Sequence, residues 1–337
     1  MPDTVPGAVT DLRGSAVRED DETVAIQVEG LVKRFGDTVA VDDVSFAVLQ
    51  GEIAAFLGPN GSGKTTLVRL VNGVLRPTDG TISVLDTDPT ERPIPVQRRT
   101  GVVTESLSLY DRFSGRYNLS FYGRLYGVPD EDLSARIETL ADLLDFRSYL
   151  DDRVETYSTG MKKRLLLARG LLHDPDVLFL DEPTSGLDPQ AARLVVNHIE
   201  TIRRERDVTV FLCTHDLQVA ERLASRIFFL DDGAIVAAGT PAELRENLWP
   251  EATVVVALDG WSERLRGEIE GLPWVQDVGT ADADVPGTTT LRFELDDRDA
   301  IPKLVDALVE DGIRLYRLQE DRHSLEDVYF QVREALR

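Results

Sequence analysis

The chain reads as an α/β protein built on a parallel sheet, followed by a small α+β module. Three observations predict this. Continuous apolar runs such as VLFLD at residues 177–181 and VTVFLC at 208–213 are what strands buried on both faces look like. Segments with helical spacing of apolar residues alternate with such runs, as strand and helix do in an α/β sheet. The run Gly58-Pro59-Asn60-Gly61-Ser62-Gly63-Lys64-Thr65 stands between a strand and a helix and matches G-x-x-x-x-G-K-[ST].

At 337 residues the chain has room for about two domains. With 42% hydrophobic and 29% charged residues it suits a folded globular protein. Lys and Arg number 37 against 60 Asp and Glu, a net charge of −23. Nucleic acid is a polyanion and is excluded as a general partner; a polybasic lipid-binding surface is excluded on the same ground. The single Cys213 rules out an internal disulfide framework and a cysteine metal cluster. No apolar run approaches the roughly 18 residues of a membrane span, and the opening MPDTVPGAVT is not an apolar signal peptide. An intracellular chain, soluble by itself, is expected. Lysine is confined to positions 33, 64, 162, 163 and 303. Dispersed acid with little Lys resembles the composition of a salt-accumulating halophile, where salt screens the net charge; the alternative is an ordinary acidic bacterial protein.

Along the chain, residues 1–24 read as a disordered acidic tail. From Ala25 the runs AIQVEGLVKRF, VDDVSFAV and EIAAFLG predict strands, and residues 65–75 predict a helix stopped by the turn at 76–80. Residues 113–150 are helical in period, and TGMKKRLLLARGLL is a further helix ended by His173-Asp174-Pro175. Together they predict a helical insert over about 106–172. IFFLDDGAIVAAGTPAEL closes a first domain, residues 25–246. Beyond Pro250, residues 251–337 run strand–helix–strand–strand–helix–strand, the order of a ferredoxin-like accessory module, and end in a helix with Ser324 as N-cap.

The glycine-rich run is a phosphate-binding loop. Glycines let backbone N–H groups turn inward on phosphate oxygens without a Cβ clash, and the helix opening at Thr65-Thr66 adds a partial positive charge. Lys64 supplies a point cation for the β- and γ-phosphates and the Thr65 hydroxyl a Mg²⁺ ligand. A lysine at a helix N-terminus is unfavourable unless it has an anion to hold.

Asp181 and Glu182 end a buried strand, at the sheet edge where open parallel sheets bind ligands. Asp181 is placed to hold Mg²⁺ and Glu182 to polarise an attacking water as general base. Thr214-His215-Asp216 ends the neighbouring strand, which puts His215 on the same rim as a polar sensor of the γ-phosphate. Cys213 reads as core packing.

Tyr157-Ser158-Thr159-Gly160-Met161-Lys162-Lys163-Arg164 has Ser158 as an N-cap and three cations in the first turn of the next helix, the wrong end for cations unless an anion docks there. This segment resembles the signature motif of ATP-binding-cassette (ABC) ATPases, usually written LSGGQ, with Thr159 for the first Gly and Met161 for the Gln. The order of phosphate loop, helical insert, signature, acidic strand, Ser185-Gly186-Leu187-Asp188 and His215 also matches that family over residues 26–245. The resemblance implies a P-loop NTPase with a RecA-like core and helical subdomain, and ATP and Mg²⁺ as its ligands. It further implies a head-to-tail homodimer or heterodimer in which Ser158, Thr159, Gly160 and Met161 contact ATP in trans and Asp188 bridges the two sites. Phe35 matches the aromatic residue that stacks on adenine. One position departs from the family: Glu105 stands where the loop entering the insert usually carries Gln. A carboxylate still ligates Mg²⁺, but it adds negative charge beside the phosphates.

A single cassette with its own C-terminal module and the ending Ser324-Leu325-Glu326-Asp327-Val328-Tyr329 resembles the drug-resistance ATPases that pair with ABC-2 type permeases. The function this implies is an ATP-hydrolysing subunit driving export through a separate permease at the cytoplasmic face of the membrane. The alternative is a soluble ABC ATPase acting on ribosomes or DNA. Such proteins usually carry two cassettes or coiled-coil inserts, and this chain has neither.

Overall fold

The computed structural model describes residues 23–281, 287–321 and 323–335. These fall into two compact units that divide between Pro241 and Ala242. The acidic tail expected over residues 1–22 lies outside the described residues.

The first unit opens with two antiparallel strands, β1 Val24–Phe35 and β2 Thr38–Leu49, and then turns into β3 Ile53–Leu57, whose five side chains are all buried. Helix α1 Lys64–Val71 follows the phosphate loop. Strand β4 Asp79–Val84 pairs with β1, completing a three-stranded sheet in the order β2-β1-β4. The sequence predicts β1 and β2 only as strands and assigns them to no sheet, because short apolar runs do not declare their pairing partner.

After the short helix α2 Pro93–Gln97, strand β5 Thr100–Val103 leads into the insert, helices α3 Gly115–Leu125 and α4 Asp130–Leu143. Ser114 caps α3 by accepting from the Tyr117 amide. Helix α5 Thr159–Leu171 returns to β6 Val177–Asp181, helix α6 Pro189–Arg206 to β7 Thr209–Thr214, and helix α7 Leu217–Leu223 to β8 Arg226–Asp231. Strand β9 Ala234–Gly239 turns back antiparallel to β8. The six-stranded sheet has the order β5-β6-β7-β3-β8-β9, its first four pairings parallel.

The core of this unit lies between the two sheets and α1. At its centre Phe56 stacks on Phe211 at 4.1 Å and on Phe228 at 4.7 Å, and Phe46 of the smaller sheet meets Phe56 edge-on at 4.8 Å. Cys213 is fully buried in the same cluster, where burial pushes its thiol well above the ordinary range, so it packs and does not react.

Helix α8 Pro241–Leu248 starts at the last residue before the division, and the rest of it belongs to the second unit. The sequence pattern places this segment at the close of the first domain. The structure ties it to the second unit instead: Arg245 Nε donates to the His323 carbonyl at 2.7 Å, and Trp249 stacks on His323 at 3.9 Å. Then come β10 Ala252–Asp259, α9 Glu263–Glu270, β11 Val275–Thr280, β12 Thr289–Leu295, α10 Ala300–Glu310 and β13 Arg314–Glu320. The sheet order β11-β12-β10-β13, all antiparallel, is that of a ferredoxin-like module. Helix α11 Leu325–Ala335 closes the chain's described part. Its N-cap is Ser324, which accepts from the Asp327 amide while Asp327 accepts from the Ser324 amide.

Candidate nucleotide site

The parallel register sets the site. Asp181 pairs with Cys213, Cys213 with Phe56, and Thr214 with Leu57, so the ends of β6, β7 and β3 stand level at one rim. The loop from Gly58 leaves this rim and turns into α1. Its geometry demands glycine. Gly63 has φ +102°, and a side chain there would collide with the Ala40 carbonyl; one at Gly58 would collide with the Leu230 carbonyl.

Lys64 is buried and donates to the Gly58 carbonyl at 2.7 Å and the Pro59 carbonyl at 3.0 Å, with Glu182 Oε1 3.9 Å away. The Thr65 hydroxyl donates to Asp181 Oδ2 at 2.9 Å. Asp181 is buried, and its other oxygen, Oδ1, has no protein partner. Burial pushes the Asp181 carboxyl above the usual range; the Thr65 hydroxyl opposes this, Glu182 and Glu105 add to it, and Lys64 opposes it. A carboxylate in this setting is stabilised by a cation. Ser62 Oγ is also buried without a partner.

Glu182 is held in the left-handed region at φ 51°, a conformation that costs a non-glycine residue about 1–3 kcal/mol. Its amide donates to the Cys213 carbonyl at 2.9 Å, which fixes the turn. One side-chain oxygen meets His215 Nδ1 at 2.9 Å and the other accepts from the Thr214 hydroxyl at 3.3 Å. An ionised carboxylate only accepts, so His215 donates from Nδ1. Thr214 went unread in the sequence, since a strand-end hydroxyl carries no signal until the register is known.

Glu105 lines a cavity of about 290 Å³ together with Thr65 and Asp181, and its Oε1 accepts from the Ser185 hydroxyl at 3.3 Å. The departure from Gln thus sits beside the acidic rim. Phe35, at the end of β1, is 48% exposed, with Lys33 Nζ 5.0 Å from its ring centre. The signature turn stands apart from this cavity. Ser158 caps α5, accepting from the Met161 amide at 3.3 Å while its own amide lies 3.4 Å from the Met161 sulfur. A side chain at Gly160 would stand 3.3 Å from Ala191 Cβ, so the turn presses on the first turn of α6, which Asp188 caps through the Ala191 amide at 2.9 Å.

The three cations after the signature do not wait for an anion. Lys162 pairs with Asp111 at 2.9 Å and Arg164 with Asp145 at 3.6 Å. Lys163 is buried, with Nζ bonded to the Glu182 carbonyl at 3.0 Å and 3.4 Å from the Glu105 carbonyl. Protein acceptors thus account for charges that the sequence pattern assigns to an external anion.

Among the described residues no group of three or more His, Cys, Asp and Glu side chains is placed to hold a metal ion. One or two carboxylates completed by substrate phosphates is the usual Mg²⁺ arrangement, and Asp181 with its unpartnered oxygen fits it. No helix among the described residues is long and apolar enough to cross a membrane.

Fold and rim together define a P-loop nucleoside triphosphatase of the cassette type. Residues 41–185 match the family described as ABC transporter. A Nod factor export ATP-binding protein I of Bradyrhizobium diazoefficiens is 40% identical over 221 residues, 66% of this chain and 72% of the relative. The daunorubicin resistance ATP-binding protein DrrA3 of Streptomyces coeruleorubidus is 35% identical over 91% of this chain and 95% of its own length. Among solved structures, cbiO1 of Clostridium perfringens, part of the ABC transporter complex cbiONQ, superposes with a TM-score of 0.62 at 27% identity, covering 66% of this chain and 91% of that one. The chain belongs to the ATP-binding subunits of ABC transporters, and is an ATPase whose hydrolysis is coupled to transport.

Proposed function

We propose that this subunit binds MgATP, closes head-to-tail on a second cassette, and drives export through a separate ABC-2 type permease at the cytoplasmic membrane face. The single observation that carries the nucleotide chemistry is the shared rim of Lys64, Thr65, Asp181 and Glu182. Export and the ABC-2 class are supported by the likeness to a daunorubicin resistance ATP-binding protein along nearly the whole chain.

Phosphate oxygens replace the Gly58 and Pro59 carbonyls as acceptors for Lys64, and the inward amides of residues 58–65 hold the rest of the triphosphate. Thr65 and Asp181 are the residues that would hold Mg²⁺, with Glu105 a further donor. The ion would neutralise charge developing on the β- and γ-phosphates. Glu182 takes a proton from water as its oxygen attacks the γ-phosphorus, and ADP leaves with the β–γ bridging oxygen. His215 and Thr214 each fix one oxygen of that carboxylate, so its basic lone pair is aimed before water arrives. Phe35 offers an open ring face to adenine, and Ser158, Thr159, Gly160 and Met161 serve the opposite site, with Asp188 between the two.

A permease needs a surface to dock on. Tyr117, Phe121 and Leu125 form an exposed row at four-residue spacing along α3, and Phe113 stacks on Tyr117 at 4.2 Å. This row sits in the helical insert and supports the partnered reading. Affinity purification from detergent extract tests it. A six-span permease is expected to co-purify, and Phe121→Ser with Leu125→Ser is expected to lose it. Recovery of ribosomes or DNA in its place refutes the reading.

A further inference from the structure

Lys163 is the fifth residue of α5, just past its first turn, and is 2% exposed, where burial opposes a charge. Its neighbours along the helix have no such difficulty: Lys162 and Arg164 pair with carboxylates that stand 55% and 89% exposed, and such pairs contribute little. Lys163 points inward instead. Its ammonium donates to the Glu182 carbonyl at 3.0 Å and lies 3.4 Å from the Glu105 carbonyl. Burial pulls its pKa below the ordinary lysine value, while the charges of Glu105, Glu182 and Asp181 pull it back up. Three pieces of chain therefore meet on one nitrogen: the signature helix, the strained turn at Glu182, and the loop that enters the helical insert.

We propose that Lys163 is a positioning residue for hydrolysis, tying the backbone of Glu182 and of Glu105 to the N-terminal part of the signature helix. This rests on the reading of Glu182 as general base. Glu182 occupies a backbone conformation it would leave if released, and Lys163 bonds the carbonyl of that residue. When the signature helix is seated, the carboxylate is aimed; when the helix shifts, the turn is freed. A displacement of about 1 Å at a reacting group costs on the order of a hundredfold in rate, so the tie acts on turnover and not on nucleotide binding, since the Lys163 ammonium bonds the Glu182 and Glu105 carbonyls and not the phosphate loop among the described residues. It also places a buried positive charge behind a rim that Glu105 has made more acidic.

The test compares Lys163→Met, which keeps the stem and removes the donors, with Lys163→Arg, which keeps donors. Both are made in the full chain, measured for ATP turnover and for binding of a fluorescent ATP analogue. The expected result is that Lys163→Met lowers kcat tenfold or more with affinity within threefold of the parent, and that Lys163→Arg regains at least a third of kcat. Turnover within threefold in Lys163→Met overturns the proposal. So does a loss of affinity as large as the loss of turnover, which marks a merely structural residue, and so does an arginine variant that regains nothing. Should the methionine variant fail to fold, Lys163→Leu, which also lacks a donor, replaces it under the same criteria. Glu182→Gln runs alongside: unchanged turnover there removes the general-base reading itself and is thereby told apart from a failure of Lys163.

Discussion

His215 Nδ1 lies 2.9 Å from Glu182 Oε1, joining the ends of two neighbouring buried strands. The imidazole is more than half exposed while the carboxylate is nearly closed off, so the pair presents one protected carboxylate to an open rim. General-base assistance is worth roughly 10²–10⁴ in rate. Glu182→Gln is therefore expected to lower kcat by about that factor, with ATP affinity kept and an ATP-bound dimer accumulating in size-exclusion chromatography. His215→Ala is expected to lose less, since the Thr214 hydroxyl still holds the other oxygen. Wild-type turnover in Glu182→Gln rejects this assignment.

Glu105 and Asp181 share a cavity, and Glu105 is one of the charges that raise the Asp181 carboxyl. Glu105→Ala removes that charge and both donor oxygens together. Losing a metal contact typically changes metal affinity about 10- to 100-fold. The Mg²⁺ concentration for half-maximal hydrolysis should rise accordingly. A superimposable Mg²⁺ titration takes Glu105 out of the ligand set.

Phe35 offers its ring to solvent at the end of β1. Base–aromatic stacking is worth roughly 1–3 kcal/mol, so Phe35→Ala should weaken ATP binding about tenfold and leave binding of inorganic triphosphate unaffected. Equal loss for both ligands would mean that the substitution disturbed the loop and not the base.

Two histidines predict the acid limit of stability. Burial holds His173 below its ordinary pKa, against a hydrogen bond to the Thr100 carbonyl at 2.9 Å. Burial also lowers His198, with the Arg164 guanidinium adding to it. Both effects favour the neutral ring in the folded state. An unfolded histidine titrates near 6.5, so below about that pH the unfolded chain binds protons that the folded chain rejects, and stability falls. The contribution is complete above about pH 6.5 and is lost as the pH drops through it toward the folded pKa of each ring. Thermal unfolding midpoints should decline between pH 7.5 and 5.5. His173→Gln, which keeps a donor for Thr100, should flatten that decline; parallel curves would remove His173 from it.

Much of the site was legible because its chemistry is contiguous. The run from Gly58 to Thr65, the pair Asp181-Glu182 and the strand end at His215 each declare a role through residue type and local context. What stayed hidden was the chemistry that depends on register. Thr214 reaches Glu182 only because β7 lies beside β6, and Lys163 reaches it only because the N-terminal part of α5 lies against that rim. The cations after the signature misled for the same reason, since Asp111 and Asp145 are far from them in sequence and close in space. In the fold, the smaller sheet was missed because β1 is long and bulged, with several register shifts against β2, and nothing in its composition tells antiparallel from parallel pairing. The order of the C-terminal elements was readable, because α9 and α10 bury apolar residues at helical spacing and β12 alternates buried with exposed residues from Leu291.

The level alignment of Asp181, Cys213 and Phe56 ties the acidic rim to the most enclosed strands of the molecule. Such strands are the last to exchange their amide hydrogens, opening only with the whole domain. The nucleotide end of this protein therefore wears out last, and heat or solvent that silences it early must have reached the moving parts around it first.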